Sequence, residues 1–268
     1  MYKYEGLLIY QAHDDDGIIE IVEYEGVRSL HFGTESRQSA MRLNSPQRLE
    51  LDYVRAMTSY LLFKPQLNDK VLLIGLGGGS ISKFLLHHFP DCQLQVIEYR
   101  QSVVKIARSH FGLPLDPRLK ILIDDGADYM RSHHDNYRGH YGLVIIDAFD
   151  SEGMAESLRN KAFFEHCQAV LKQDGMLVIN LWGGLTDPLF IEVSNWIGQT
   201  FKWHTLFLAV QGRGNIIVLA FNSKPAITLE QLKENANMLT VDYHIDFHSF
   251  LHDLKKHNAS TFKYLIRH

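Results

Sequence analysis

Apolar and polar positions follow two different periods along this chain, and the change of period divides it. Over residues 1 to about 43, "GLLIYQ", "GIIEIVEYEG" and "VRSLHFG" are short β-type runs separated by the turn signals "HDDDG" and "EG", a pattern that predicts a small antiparallel sheet. "NSPQRLELDYVRAMTSYLLF" then places Leu49, Tyr53, Met57, Tyr60 and Leu61 at helical spacing. With Ser45 as N-cap and Pro46 at the first helical position, it predicts an amphipathic helix leading into a core strand. From Val71 onward the two kinds of segment alternate. "VLLIG", "LQVIE", "LKILI", "LVIID" and "MLVINL" are nearly continuous apolar runs, as expected of strands covered by helices on both faces. Helical patterns near 79 to 89, 101 to 111, 126 to 132 and 160 to 172 separate them, which makes the sheet parallel and doubly wound. A helix near 187 to 200 precedes "WHTLFLAV" and "NIIVLAFN", joined by "QGRG". Strands joined so closely are antiparallel, because a parallel crossover takes a dozen or more residues. After Lys224, "TLEQLKENANML" and "FHSFLHDLKKH" predict peripheral helices. The expected organisation is a β-sheet domain over 1–45 and a larger α/β domain over 46–268.

Composition narrows the partners. A formal net charge of -4, with no run of Lys or Arg gathered into a stripe, argues against nucleic acid and for a small-molecule partner. No apolar stretch reaches membrane-spanning length, and "MYKYEGLLIY" lacks a basic n-region and a small-residue cleavage site, so a cytoplasmic location away from membranes is expected. Cys92 and Cys167 lie far apart without metal-type spacing and read as reduced thiols used as small hydrophobes. The fifteen histidines include the adjacent pairs His87-His88 and His133-His134, whose side chains point apart, and none forms a His-x-x-x-His completed by a carboxylate. No metal site is expected.

Chemistry concentrates at the predicted strand ends. Gly75, Gly77, Gly78 and Gly79 follow the first core strand, and Glu98 ends the second about twenty residues later, the spacing at which a glycine turn lets main chain touch a nucleoside and a carboxylate accepts both ribose hydroxyls. A parallel sheet finished by an antiparallel hairpin is the architecture of nucleoside-sulfonium enzymes, the methyltransferase-like Rossmann fold. At the third strand end, Asp124, Asp125 and Gly126 allow two readings for Asp125, an acceptor for the adenine amino group or a helix N-cap. The fourth strand end, "IIDAFDSEG", sets Asp147, Asp150 and Glu152 within six positions. Beside a cationic sulfonium these acids make a negative pocket suited to an amine, which attacks carbon only after losing a proton. Asp147 is the candidate base and Asp150 the candidate grip on the amine.

Across roughly residues 20 to 222 these features resemble the spermidine synthase family, the polyamine aminopropyltransferases. The resemblance is carried by the β-rich N-terminal piece, Gln38 ahead of a segment with Tyr53 and Met57, the glycine turn, "VIEYRQSVVKIAR", "DDGADYM" and "IIDAFD". It implies a homodimer built partly through the N-terminal sheet, and a co-substrate that is decarboxylated S-adenosylmethionine or S-adenosylmethionine itself. It also implies that Gln38, Gly75, Gly77, Gly78, Glu98, Asp125, Gly126 and Ala127 hold that co-substrate, that Tyr53 and Asp150 hold the amine, and that Asp147 activates it. The implied reaction moves an aminopropyl group to a polyamine such as putrescine and releases methylthioadenosine. Two departures keep other readings open. The family's glycine loop carries an Asp where Gly78 falls, and Arg100 stands where an acid often follows the ribose Glu. Both favour intact S-adenosylmethionine, so a methyltransferase is the second reading and a non-catalytic nucleoside-binding homologue the third.

Overall fold

The computed structural model describes residues 4–149, 153–184 and 186–267. Strands β1 (Leu7–Asp14), β2 (Gly17–Tyr24), β3 (Val27–His31) and β4 (Ser39–Arg42) form an antiparallel sheet in the order β1-β2-β3-β4. The buried side of this sheet, Ile19, Ile21, Leu30 and Met41, packs on Val103, Ile106 and Phe111. These last three belong to the larger unit, so the small sheet is fixed against it by apolar burial, worth roughly 1.5–3 kcal/mol per large side chain.

The link to the larger unit departs from expectation. The segment opening on Ser45 and Pro46 is a turn, with the Arg48 amide donating to the Ser45 carbonyl at 3.0 Å, and helix α1 spans Asp52–Met57 only. The Arg42 guanidinium pairs with Glu50 at 2.6 Å, and Arg55 donates to the carbonyls of Leu49 and Glu50 at 2.8 and 2.9 Å. Those bonds hold the stretch ahead of α1 off the helical path and tie it to β4. The chain continues after α1 as a tighter 3-10 turn over Thr58–Leu62, all of it buried.

Thereafter the periods read from the sequence are realised. Strand β5 (Lys70–Ile74), helix α2 (Ser80–His88), β6 (Gln93–Glu98), α3 (Gln101–His110), β7 (Leu119–Ile123), α4 (Gly126–His133), β8 (Tyr141–Ile146), α5 (Lys161–Val170) and β9 (Leu171–Trp182) alternate. Helix α6 (Pro188–Thr200) leads to β10 (Thr205–Ala209) and β11 (Asn215–Phe221). The sheet order is β10-β11-β9-β8-β5-β6-β7, parallel from β9 to β7 and antiparallel at β9-β11 and β11-β10. This is the α/β fold with an antiparallel C-terminal hairpin that the pattern predicts. Its strands are apolar throughout because alternate residues feed two cores: Val71 and Leu73 face one, Leu72 and Ile74 the other. Helices α7 (Leu229–Tyr243), α8 (Phe247–His257) and α9 (Ala259–Leu265) cover the first core through Leu232, Leu239, Leu254 and Phe262. Strand β9 begins two residues inside the segment expected to be helical, because Leu171 is extended and pairs with Tyr141. No helix of the described residues is long and apolar enough to cross a membrane.

Candidate active site

The carboxyl ends of the parallel strands open into a cleft of about 1280 Å³, closed on one side by the small N-terminal sheet. Its wall takes Gly75, Leu76 and Gly77 from the turn after β5, Glu98 from β6, Asp124 to Gly126 after β7, and Asp147 after β8. Gln38 and Tyr53 come from the chain around β4 and α1, and Asn180, Trp182 and Asn215 from β9 and β11. Strand ends in a doubly wound sheet converge this way, so residues far apart in sequence meet at one rim.

Gly75 holds the turn. Its φ is +93°, and a Cβ there would lie 2.2 Å from the Asp147 carbonyl oxygen, so glycine is what lets the ends of β5 and β8 touch. Gly78 differs, because a Cβ on it would meet the Phe111 ring and Ser39 Oγ, each at 2.8 Å, and it is absent from the cleft wall. Ala127 also lies outside that wall, packed on the second core, whereas its neighbour Gly126 lines it.

Main-chain amides hold the first carboxylate. Glu98 Oε2 accepts from Leu76 N at 2.8 Å and Oε1 from Arg100 N at 2.9 Å, with the side chain 7% exposed. Burial raises its pKa despite these donors. The Arg100 guanidinium lies over the Phe32 ring and pairs with Asp14 at 2.5 Å, and Ser102 Oγ donates to the same Asp14. The arginine two positions after Glu98 is thus paired with the β1–β2 turn, and it anchors that turn to the cleft. Asp125 Oδ1 caps α4, accepting from Ala127 N and Asp128 N at 2.8 and 3.1 Å, and its Oδ2 accepts from Ser157 Oγ at 2.7 Å.

Side chains hold the second carboxylate. Asp147 Oδ1 accepts from Asn180 Nδ2 at 3.0 Å and Oδ2 faces the Tyr53 hydroxyl at 3.4 Å, which also reaches the Gln38 carbonyl at 3.3 Å. Behind it, Asn215 Nδ2 donates to Asn180 Oδ1 at 3.0 Å, both amides being buried. Burial raises the Asp147 carboxyl against the opposing pull of the Asn180 and Tyr53 donors, leaving it at about 6. Asp150 and Glu152 lie outside the described residues. Asn180, Asn215 and Ser157 escaped the sequence reading. For Asn180 one signal existed, a carboxamide inside the apolar run "MLVINLW", where a buried polar group implies a partner. Among the described residues no cluster of His, Cys, Asp and Glu is arranged to hold a metal.

The spermine/spermidine synthase domain model matches residues 50–207, more than half of the chain. The chain belongs to that family. The matched span includes Tyr53, Glu98, Asp147 and Asn180 and leaves out Gln38 and Asn215. A polyamine aminopropyltransferase of Neisseria meningitidis is 34% identical over 248 residues, 92% of each chain. A probable spermidine synthase from Corynebacterium glutamicum shares the fold with a TM-score of 0.74 at 19% identity, over 97% of this chain and 95% of that one. A Xenopus laevis protein named eEF1A lysine and N-terminal methyltransferase is 27% identical over 79% of this chain and 34% of its own length.

Proposed function

We propose that the protein transfers the aminopropyl group of decarboxylated S-adenosylmethionine to a polyamine such as putrescine, releasing methylthioadenosine. The observation that carries this reading is Asp147: a half-buried carboxylate on the cleft floor, between the Glu98 end and the Asn215 end, held by two side-chain donors. The family and the name of the Neisseria relative agree with it.

In this reading Glu98 accepts the ribose hydroxyls with the lone pairs its two amide donors leave free. Asp125 and Gly126 border the adenine, Ala127 serves only through its amide hydrogen bond to Asp125, and Gln38 closes the pocket from the N-terminal side. Gly75 and Gly77 let main chain lie against the nucleoside, and Gly78 supports that turn from behind. The amine arrives as an ammonium, since its free pKa is about 10. Asp147 takes one proton from it. The nitrogen lone pair then attacks the methylene beside the sulfonium sulfur, a C–N bond forms, and the C–S bond breaks with its electron pair going to sulfur. The products are neutral methylthioadenosine and a lengthened amine. A carboxylate raised to about 6 is a better match for an ammonium than an ordinary one near 3.8. Tyr53 steadies the carboxylate, and Asp150 grips the amine.

A second reading, methyl transfer from intact S-adenosylmethionine, is favoured by the absence of an acid in the glycine turn and by the Xenopus relative. One assay separates the two. Incubation with decarboxylated S-adenosylmethionine and putrescine is expected to release methylthioadenosine, and incubation with the intact co-substrate to release no S-adenosylhomocysteine. The reverse pattern establishes the second reading. No methylthioadenosine with putrescine, cadaverine or spermidine, in a protein that still binds methylthioadenosine, overturns the first reading.

A further inference from the structure

An ionised carboxylate only accepts hydrogen bonds, so the Asn180 carboxamide serves Asp147 in one of its two orientations, with Nδ2 forward. That orientation turns Oδ1 back towards β11, where Asn215 Nδ2 meets it at 3.0 Å. The two asparagines lie diagonally on one sheet face, since Asn180 is in register with Ile217 and Asn215 with Trp182. Asn180 and Asn215 are 3% and 7% exposed, so water has little access to exchange with either bond. Each carboxamide thereby sets the next.

We propose that Asn215 is a positioning residue for the transfer: by donating to Asn180 Oδ1 it locks that carboxamide with its N–H towards Asp147. The inference rests on the reading of Asp147 as the base. Without Asn215, Asn180 is free to turn its oxygen to Asp147, where it accepts from the protonated carboxyl instead of donating to the ionised one. Asn215 therefore sets the pH at which the base becomes available.

Among the described residues, the neighbours that also act on Asp147 are few. From α1 the Tyr53 hydroxyl faces it, and from the β5 turn only main chain approaches. Glu50 and Asp52, on the same side, are paired with Arg42 and Arg55 at 2.6 and 3.2 Å, and Glu98 is held by its amides. A shift that follows a change at Asn215 alone is consequently read through Asn180.

The test is the pH profile of kcat from about pH 5 to about pH 9, at saturating decarboxylated S-adenosylmethionine and putrescine, for the wild type, Asn215→Leu, Asn215→Asp and Asp147→Asn. Leucine matches asparagine in size without adding charge. The acidic limb of Asn215→Leu is expected to move up by about half to one pH unit, a three- to tenfold loss of rate below the limb and little loss above it. Asn215→Asp, which must accept from Asn180 and so reverses it, is expected to move the limb further. Methylthioadenosine titration reports whether each variant is folded, and Asn215→Ala replaces any that is not. A leucine limb coincident with wild type overturns the inference, even if the aspartate variant shifts, because that shift is then charge repulsion. A loss of equal size at every pH overturns it too, as a merely structural role. A wild type without an acidic limb, or an active Asp147→Asn, instead removes the base reading and the inference with it.

Discussion

Glu98 and Asp147 stand at neighbouring strand ends on one cleft, and burial raises the pKa of both, yet they are built from different materials. Glu98 is held by the amides of Leu76 and Arg100, groups that any sequence adopting this turn would supply. Asp147 is held by Tyr53 and Asn180, and Asn180 by Asn215, side chains contributed by three separate segments. The first arrangement is fixed by the fold, and the second by residue identity on top of the fold. Nucleoside binding is thus the robust half of the proposed site, and the treatment of the amine is the half that sequence change can retune.

The sharpest way to break that comparison is Asp147→Asn. It keeps the shape of the carboxyl but removes the proposed base, so turnover is expected to fall by about 10²–10⁴-fold while methylthioadenosine affinity stays close to that of wild type. A second readout comes from stability. Because burial raises Asp147 to about 6 in the folded protein, the folded chain holds this proton more tightly than the unfolded chain. The contribution is full below about pH 4 and is lost as pH rises through about 6. Asp147→Asn removes that slope, so its Tm is expected to gain on wild type between those pH values. Parallel Tm curves for the two proteins across the interval would show that Asp147 is not raised at all.

Glu98→Gln probes the other half. Charge-assisted hydrogen bonds contribute about 1.5–3 kcal/mol, so methylthioadenosine is expected to bind about ten- to a hundredfold more weakly, with kcat at saturating donor changing far less. Calorimetry and a donor titration of turnover check the pair of effects. If the variant instead loses kcat and keeps its donor affinity, the division between a backbone-built donor end and a side-chain-built amine end is wrong.

The same division explains what the sequence disclosed. Strand ends, the glycine turn and the acids beyond them are local features. Val71 to Gly79 reads as strand and turn because alternate residues feed two cores and Gly75 runs so close to β8 that a Cβ on it would lie 2.2 Å from the Asp147 carbonyl oxygen. The parallel sheet and its antiparallel hairpin follow from these local rules. The Asn180 and Asn215 pair is non-local: thirty-five positions separate the residues, and only the antiparallel register of β9 and β11 joins them. Arg100 is likewise decided at a distance: its place in the sequence sets a positive charge near Glu98, and Asp14, eighty-six positions away, pairs with that charge. The misplaced helix start at Ser45 has the same cause, since Arg42, Glu50 and Arg55 decide that segment through contacts that spacing does not record.

Gly78 gives the smallest expected effect on chemistry. Aligned with the family's glycine loop, it marks a missing acid that would favour the decarboxylated donor. In space it backs onto Phe111, which is fully buried among Ile19, Ile21, Leu30 and Met41 under the N-terminal sheet. An added Cβ would sit 2.8 Å from that ring and from Ser39 Oγ, which is itself hydrogen-bonded to Ser80 Oγ at 3.2 Å. Gly78→Ala therefore strains the packing between the two sheets, and is expected to cost about 1–3 kcal/mol, read as a fall in Tm. Gly78→Asp adds a carboxylate beside a buried ring and is expected to cost more, without changing the ratio of kcat/KM between decarboxylated and intact S-adenosylmethionine. If Gly78→Asp is as stable as wild type and shifts that ratio towards the decarboxylated donor, its side chain reaches the cleft. The donor end would then be open to retuning by residue identity after all, as the amine end is.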